Sequence, residues 1–151
     1  MKKGILRDGT EASVDYLQTR GELRGAGLTI LARYKGSIGD MVDSELGKLG
    51  LYIYVHPLRP LKVWQNGPGL FFDELAWRAE IGEDPTMNST GISAEYAAEL
   101  VTLHMLNWNP ESLGLGSFYP AEDVITPAED DELNAYFVNL KCNGGVPPLP
   151  Q

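Results

Sequence analysis

Two histidines, His56 and His104, and a single cysteine, Cys142, are the side chains best suited to metal, nucleophilic or proton-transfer chemistry. Two imidazoles are too few for most histidine-based metal sites. His104 falls on an apolar helical stripe, where a histidine is more often a satisfied core residue than a ligand. Cys142 lies on the inward face of a predicted strand in the acidic end of the chain, which offers no electropositive setting for a thiolate. It reads as a small buried hydrophobe. The run Glu129-Asp130-Asp131-Glu132 lacks the alternating ligands and central glycine of a calcium loop and reads as a solvated turn. Gly67-Pro68-Gly69 and Gly114-Leu115-Gly116 have no Lys-Ser/Thr pair or strand–turn–helix context, so neither is a phosphate fingerprint. Asp73 with Glu74, or Glu83 with Asp84, would make an acid/base pair only if both pointed the same way, and strand neighbours point to opposite faces. No catalytic, cofactor-binding or metal-binding set emerges, and the expectation is a protein that is not an enzyme.

What remains is surface. Residues 56–70 hold three prolines and two glycines, which forbid a regular central strand, yet also Leu58, Leu61, Val63 and Trp64 with Arg59 and Lys62. An excursion of about 15 residues inside a compact domain often marks a functional arm, either an extended hairpin or a loop laid on a neighbour. Trp and Arg are the types most enriched at interface hot spots. The charge is uneven: residues 1–70 carry +3 and residues 71–151 carry −12, for a total of −9. Solubility explains such a split; so does a basic part of one subunit meeting an acidic part of another. The candidate interface is therefore Arg59, Lys62 and Trp64 on the arm, with Glu74, Arg78, Glu80, Asp130 and Asp131 beyond it. The acidic total argues against direct nucleic-acid binding. No apolar run approaches the ~18 residues of a membrane span, so no membrane association is expected. One cysteine permits no internal disulfide, and synthesis in a cytoplasm is the default.

The elements that must carry this surface centre on residues 71–109. Leu75, Trp77, Ala79 and Ile81 alternate with Glu74, Arg78 and Glu80, predicting a strand over 71–81 with one buried side. Ala97, Leu100, Val101, His104 and Met105 recur at helical spacing, predicting a helix over 93–108 with Ser93 as N-cap and Pro110 as stop. Upstream, residues 1–9 read as a loose tail, 10–20 as a weak helix capped by Thr10, and 28–34 as a strand. A helix over 37–50 and a strand over 51–55 follow. Downstream, 123–126 is a short strand, 133–143 the last strand, and 144–151 a flexible end. The whole is one domain of α+β class, a mixed, mostly antiparallel sheet of four to five strands with two main helices on one face, plus the 56–70 arm.

Some of these residues carry a resemblance. Phe72-Asp73, Glu83-Asp84-Pro85, Met87-Asn88, Thr90-Gly91-Ile92-Ser93-Ala94 and His104 through Pro110 resemble the tail-completion (tail terminator) proteins of tailed phages and prophages. In that family a strand ending in E-N-P-x-x-N leads through T-G-x-S-A into a helix closing with L-H-x-W-x-P. The segments 36–55 and 136–145 resemble the family's opening helix–strand unit and closing strand. The resemblance implies a structural protein without cofactors, a homo-oligomer assembling typically as a six-membered ring at the head-proximal end of the tail tube. Its partners would be copies of itself, the tail tube protein and the head–tail connector. Its location would be the tail–neck junction of the virion. The alternatives are another neck or baseplate component, or a cytoplasmic protein- or ligand-binding regulator.

Overall fold

The computed structural model describes residues 1–34, 43, 48–129 and 132–150. The organising element is β4 (Gly69–Glu83), a 15-residue strand. On one side it pairs along almost its whole length with β6 (Asn134–Val146). On the other side, two strands lie end to end. β2 (Leu51–Val55) covers residues 79–83 of β4, and β3 (Arg59–Asn66) covers residues 69–76. β1 (Ile30–Ala32) adds to β2 in parallel, and β5 (Tyr119–Pro127) adds antiparallel to β6. The result is a six-stranded, mostly antiparallel sheet, and the fold is α+β as the residue pattern predicts.

Pairing register fixes which side chains share a face. Leu75, Trp77, Ala79 and Ile81 of β4 lie with Leu51, Ile53 and Val55 of β2 and with Val138, Leu140 and Cys142 of β6. All ten are essentially inaccessible to solvent. Against this face pack α1 (Ile5–Gln18), the short α2 (Gly21–Gly25) and α3 (Ala94–Leu106), contributing Leu17, Leu23, Ala97, Val101 and Met105 to the same core. An aromatic ladder runs from solvent into this core. Arg20 lies 4.3 Å over Tyr16, Tyr16 stacks on Trp108 at 5.0 Å, Trp108 on Phe118 at 5.6 Å, and Phe118 meets Trp77 edge-on at 6.2 Å.

Three elements differ from expectation, each for an identifiable reason. α1 begins at Ile5, five residues before the expected cap at Thr10. Thr10 is buried mid-helix, its hydroxyl donating to Leu6 O (2.7 Å) and accepting from Leu58 N–H (2.9 Å). Gly9 resembles a breaker in sequence but is a point of close approach: a Cβ there would lie 2.7 Å from Leu58 Cδ1. β5 is nine residues rather than four, because its pairing with β6 is interrupted by a bulge between Pro120 and Ile125 that hides the alternation. The sheet gains β3 from the segment set aside as an arm. The predicted helix over 37–50 falls largely outside the described residues.

The arm is thus a hairpin. β3 turns into β4 through Gly67 and Pro68, with Gly67 at φ +60°, the geometry of a two-residue turn with glycine first. Pro60 is tolerated because β3 pairs only with β4 and has a free side. The hairpin base is held to the body by the Leu58–Thr10 bond and by His56 N–H donating to Arg78 O at 2.9 Å.

Candidate functional site

Two surfaces stand out, and the hairpin builds part of both. The first is its tip. Residues 63–72 contain no charged side chain. Val63 and Trp64 of β3, and Leu70 and Phe71 of β4, are 49%, 59%, 45% and 37% exposed, and Leu61 at the root is 41% exposed. Trp64 pairs directly across from Phe71, so both rings share one face, while Gln65 and Leu70 share the other. The exposed apolar side chains are divided between the two faces. Phe72, on the face of Val63 and Leu70, is buried in the core, and residues 144–146 of β6 run along the other edge of β4 here.

The second surface is a cleft of about 710 Å³ on the sheet face opposite α1 and α3. Its floor is Ala76 and Arg78 of β4 with Asn139 and Lys141 of β6. One wall is the hairpin base, His56 to Leu61; the other is the β5 bulge, Ala121 to Asp123. The bulge is pinned by Asn139, whose side-chain amide donates to Asp123 O (3.0 Å) and Thr126 Oγ1 (3.2 Å) while its Oδ1 accepts from Arg78 Nε (2.9 Å). The walls differ in charge: Arg59 on one side, Glu122 and Asp123 on the other. None of the three has an ion-pair partner among the described residues.

Beside the cleft lies an aromatic cluster that sequence reasoning missed. Tyr52 and Tyr54 stack at 5.5 Å, and both hydroxyls donate to Glu80 Oε2. Arg33 lies over the Tyr54 ring and Arg78 over Phe137 at 4.4 Å. His56 packs between Tyr54 and Phe137, with its buried Nε2 lacking a hydrogen-bond partner. The signal was present in the second face of β2: tyrosines at 52 and 54 continue at the same period to His56. Pro57 breaks the strand immediately after and hides the continuation.

Burial pushes the His56 pKa down to about 4, Arg33 and Arg78 act in the same direction, and Glu80 opposes them. The imidazole is therefore neutral in the folded protein at pH values where the unfolded chain, with a pKa near 6.5, already takes up a proton. The unfolded state binds more protons between about pH 6.5 and 4, so stability falls as pH falls through that window. The ceiling is about 3 kcal/mol, reduced to ~1–2 by solvent reaching the cleft. Chemical denaturation of the wild type and His56→Phe at pH 7, 5.5 and 4.5 should show the wild type losing more stability on acidification. Parallel losses in the two proteins would show that His56 does not titrate as its burial demands.

The residues singled out from sequence separate into three groups. Arg59 and Trp64 are exposed and without an in-chain ion pair or ring partner among the described residues, and are available to a partner. Lys62, Glu74, Arg78 and Glu80 are already engaged. Glu74 lies 3.8 Å from Lys62 and 3.7 Å from Lys141, and Glu80 serves the tyrosines. The Lys62–Glu74 pair is loose and solvent-exposed, and costs little to exchange for another partner. Asp130 and Asp131 lie outside the described residues. Cys142 is fully buried, and burial pushes its thiol up to about 12, consistent with a packing role. His104 is half-buried, and burial lowers its pKa.

Glu83, Asn88, Thr90 and Ser93 form a joint between β4 and α3. Asn88 donates to Glu83 Oε2 (2.5 Å) and Ile92 O (2.7 Å) and accepts from Thr90 N–H (2.9 Å) and Thr90 Oγ1 (2.6 Å). Ser93 Oγ caps α3 by accepting from Tyr96 N–H at 3.1 Å. Their spacing serves to fix the strand–helix angle. No protein-family model and no curated protein matches this chain.

Proposed function

We propose that this chain is a non-enzymatic virion assembly subunit, a tail terminator that closes into a ring at the head-proximal end of a phage or prophage tail tube. The observation that carries this reading is the end of the β3–β4 hairpin: an uncharged segment at the start of the central strand on which Val63, Trp64, Leu70 and Phe71 are exposed. Exposed apolar side chains gathered in this way favour contact with another protein. A ring needs heterologous contacts, in which one patch of each subunit meets a different patch of the next. The tip and the charged cleft are two such unlike patches on one chain. The resemblance of residues 72–110 and 136–145 to tail-completion proteins supports the same reading. The cleft, with an unpartnered imidazole in its wall, favours a second reading, a protein- or ligand-binding regulator.

Light scattering and negative-stain microscopy of the purified full-length chain separate the two. The first reading expects annular particles at several times the protomer mass, approaching six copies, and binding at the end of tail tubes so that tube growth stops. A concentration-independent monomer that leaves tube length unchanged would end it.

A further inference from the structure

The edge of a β-sheet presents unpaired backbone donors and acceptors, and folded proteins blunt such edges with short strands, prolines, bulges and charges. Among the described strands β1, β5 and β3 have a free edge, and the first two are blunted. β1 is three residues long, and Gln18 of α1 closes over its start. Ile30 N–H donates to Gln18 Oε1 at 2.6 Å, and Gln18 Nε2 donates to Leu28 O at 2.6 Å. β5 holds Pro120 and Pro127 and is bulged between Pro120 and Ile125, with Glu122 and Asp123 inside the bulge. The first half of β3 is protected in the same way, by Pro60, Lys62 and two register shifts. Its second half, from Val63 onward, has no proline, no charge and no further shift. There β6 occupies the far edge of β4 with residues 144–146, and the backbone of Val63 to Gln65 bonds to β4 alone.

The hairpin register fixes which groups are free. Asn66 faces Gly69 across the two-residue turn as a hydrogen-bonded pair, and Trp64 with Phe71 is the next such pair. The N–H and C=O groups of Val63 and Gln65 therefore point away from β4. We propose that these four groups pair antiparallel with the same four groups of a second copy, across a two-fold axis at Trp64, so that two sheets become one. Val63 of each copy then bonds to Gln65 of the other. An axis at Val63 would set Gln65 against the shifted half of β3, and an axis at Gln65 would set Val63 against the turn. Only the axis at Trp64 uses all four groups. It also sets the two Trp64 side chains opposite one another as a non-hydrogen-bonded pair, the closest cross-strand position, at about 4.5 Å between Cα atoms. Phe71 lies beside Trp64 on the same face, so four rings form one row across the axis. Trp64 and Phe71 are 59% and 37% exposed in the single chain and gain cover from this row. The two Lys62 stay four strand residues apart, about 13 Å, so like charges do not meet. The other edges being blunted, β3 is the strand of a second copy best able to pair here. The contact is small beside the roughly 800 Å² per partner of a standard interface, so it fills as concentration rises. A two-fold contact ends at two copies; it goes beyond the ring reading and does not depend on it.

Single cysteines read the register directly, because native Cys142 is buried and its thiol is pushed up to about 12. Val63→Cys and Gln65→Cys would face one another across the axis at about 5.5 Å between Cα atoms, within reach of a disulfide. Mixed under mild oxidation, the two full-length proteins should give the mixed disulfide dimer as main product, ahead of either self-linked dimer and in a yield that rises with concentration. Trp64→Lys, added to both, sets two ammonium groups against each other at the axis and should lower that yield roughly tenfold, with the far-UV circular dichroism unchanged. Mixed and self-linked products in equal amount would overturn the contact, as would a mixed yield that survives Trp64→Lys. Preferential linkage of Gln65→Cys to Ile125→Cys would give the edge to β5 of another copy and overturn the two-fold pairing. So would the absence of any link at the highest concentration the protein tolerates.

Discussion

Trp77→Ala is expected to destabilise the protein by about 3–5 kcal/mol, the range for deleting a large aromatic from a packed core. Trp77 is 1% exposed and is the largest fully buried side chain. Its cost exceeds that of a volume loss alone, because the indole N–H donates to Ser13 Oγ at 3.1 Å and Ser13 in turn donates to Thr10 O at 2.7 Å. Thr10 is the residue that receives the hairpin base through Leu58 N–H. One side chain thus joins the central strand to α1 and, through α1, steadies both the projecting tip and the cleft wall. Against a typical total of 5–15 kcal/mol, the loss should lower the melting temperature by on the order of 10 °C. Trp77→Phe keeps most of the buried area but not the hydrogen bond, and should cost about 1–2 kcal/mol. Denaturant titration followed by far-UV circular dichroism checks both, and a change below about 1 kcal/mol for the alanine variant would remove Trp77 from this role.

How much of this was legible in the sequence follows from which signals are local. β2 over 51–55 and α3 over 94–106 are legible because each carries its full evidence within itself: period, cap and stop. The core faces of β4 and β6 are legible for the same reason. The hairpin was only half legible. Its prolines and glycines ruled out a central strand, and β3 is an edge strand, where a proline's missing N–H is tolerated. The start of α1 was illegible because Gly9 and Thr10 look like a break and a cap, while their actual partners, Leu58 and Leu115, lie far away in sequence. The cleft was illegible for a stronger reason. Its walls come from His56–Leu61 and Ala121–Asp123, brought together only by the sheet order β3-β4-β6-β5. Types and spacing did point to Arg59, Lys62 and Trp64 as a surface. They could not show that Glu74 and Glu80 have partners at home.

Glu83 illustrates how a residue that resembles chemistry can be mechanical. In sequence it forms an acidic pair with Asp84; in the fold it is 7% exposed at the end of β4, on the core face. Its Oε1 accepts from Ala94 N–H at 3.2 Å, one of the first-turn donors of α3 that the helix cannot satisfy itself. Its Oε2 accepts from Asn88 Nδ2 at 2.5 Å, and Asn134 Nδ2 stands 3.5 Å from Oε1. The carboxylate therefore ties together the end of β4, the 84–92 turn, the start of α3 and the start of β6. Glu83→Ala leaves buried donors without acceptors, at about 1–3 kcal/mol for each group stranded, so a loss of about 3 kcal/mol is expected. Glu83→Gln should recover part of this, since its carbonyl oxygen still accepts one bond while its amide opposes the other donor. Amide exchange supplies the local readout: protection at Ala94 and Tyr96 should fall in Glu83→Ala well beyond the global change. If those amides exchange no faster than the change in overall stability predicts, the carboxylate is not what holds the joint. A selective loosening would show that the Glu83 carboxylate holds the start of α3 to the end of the central strand.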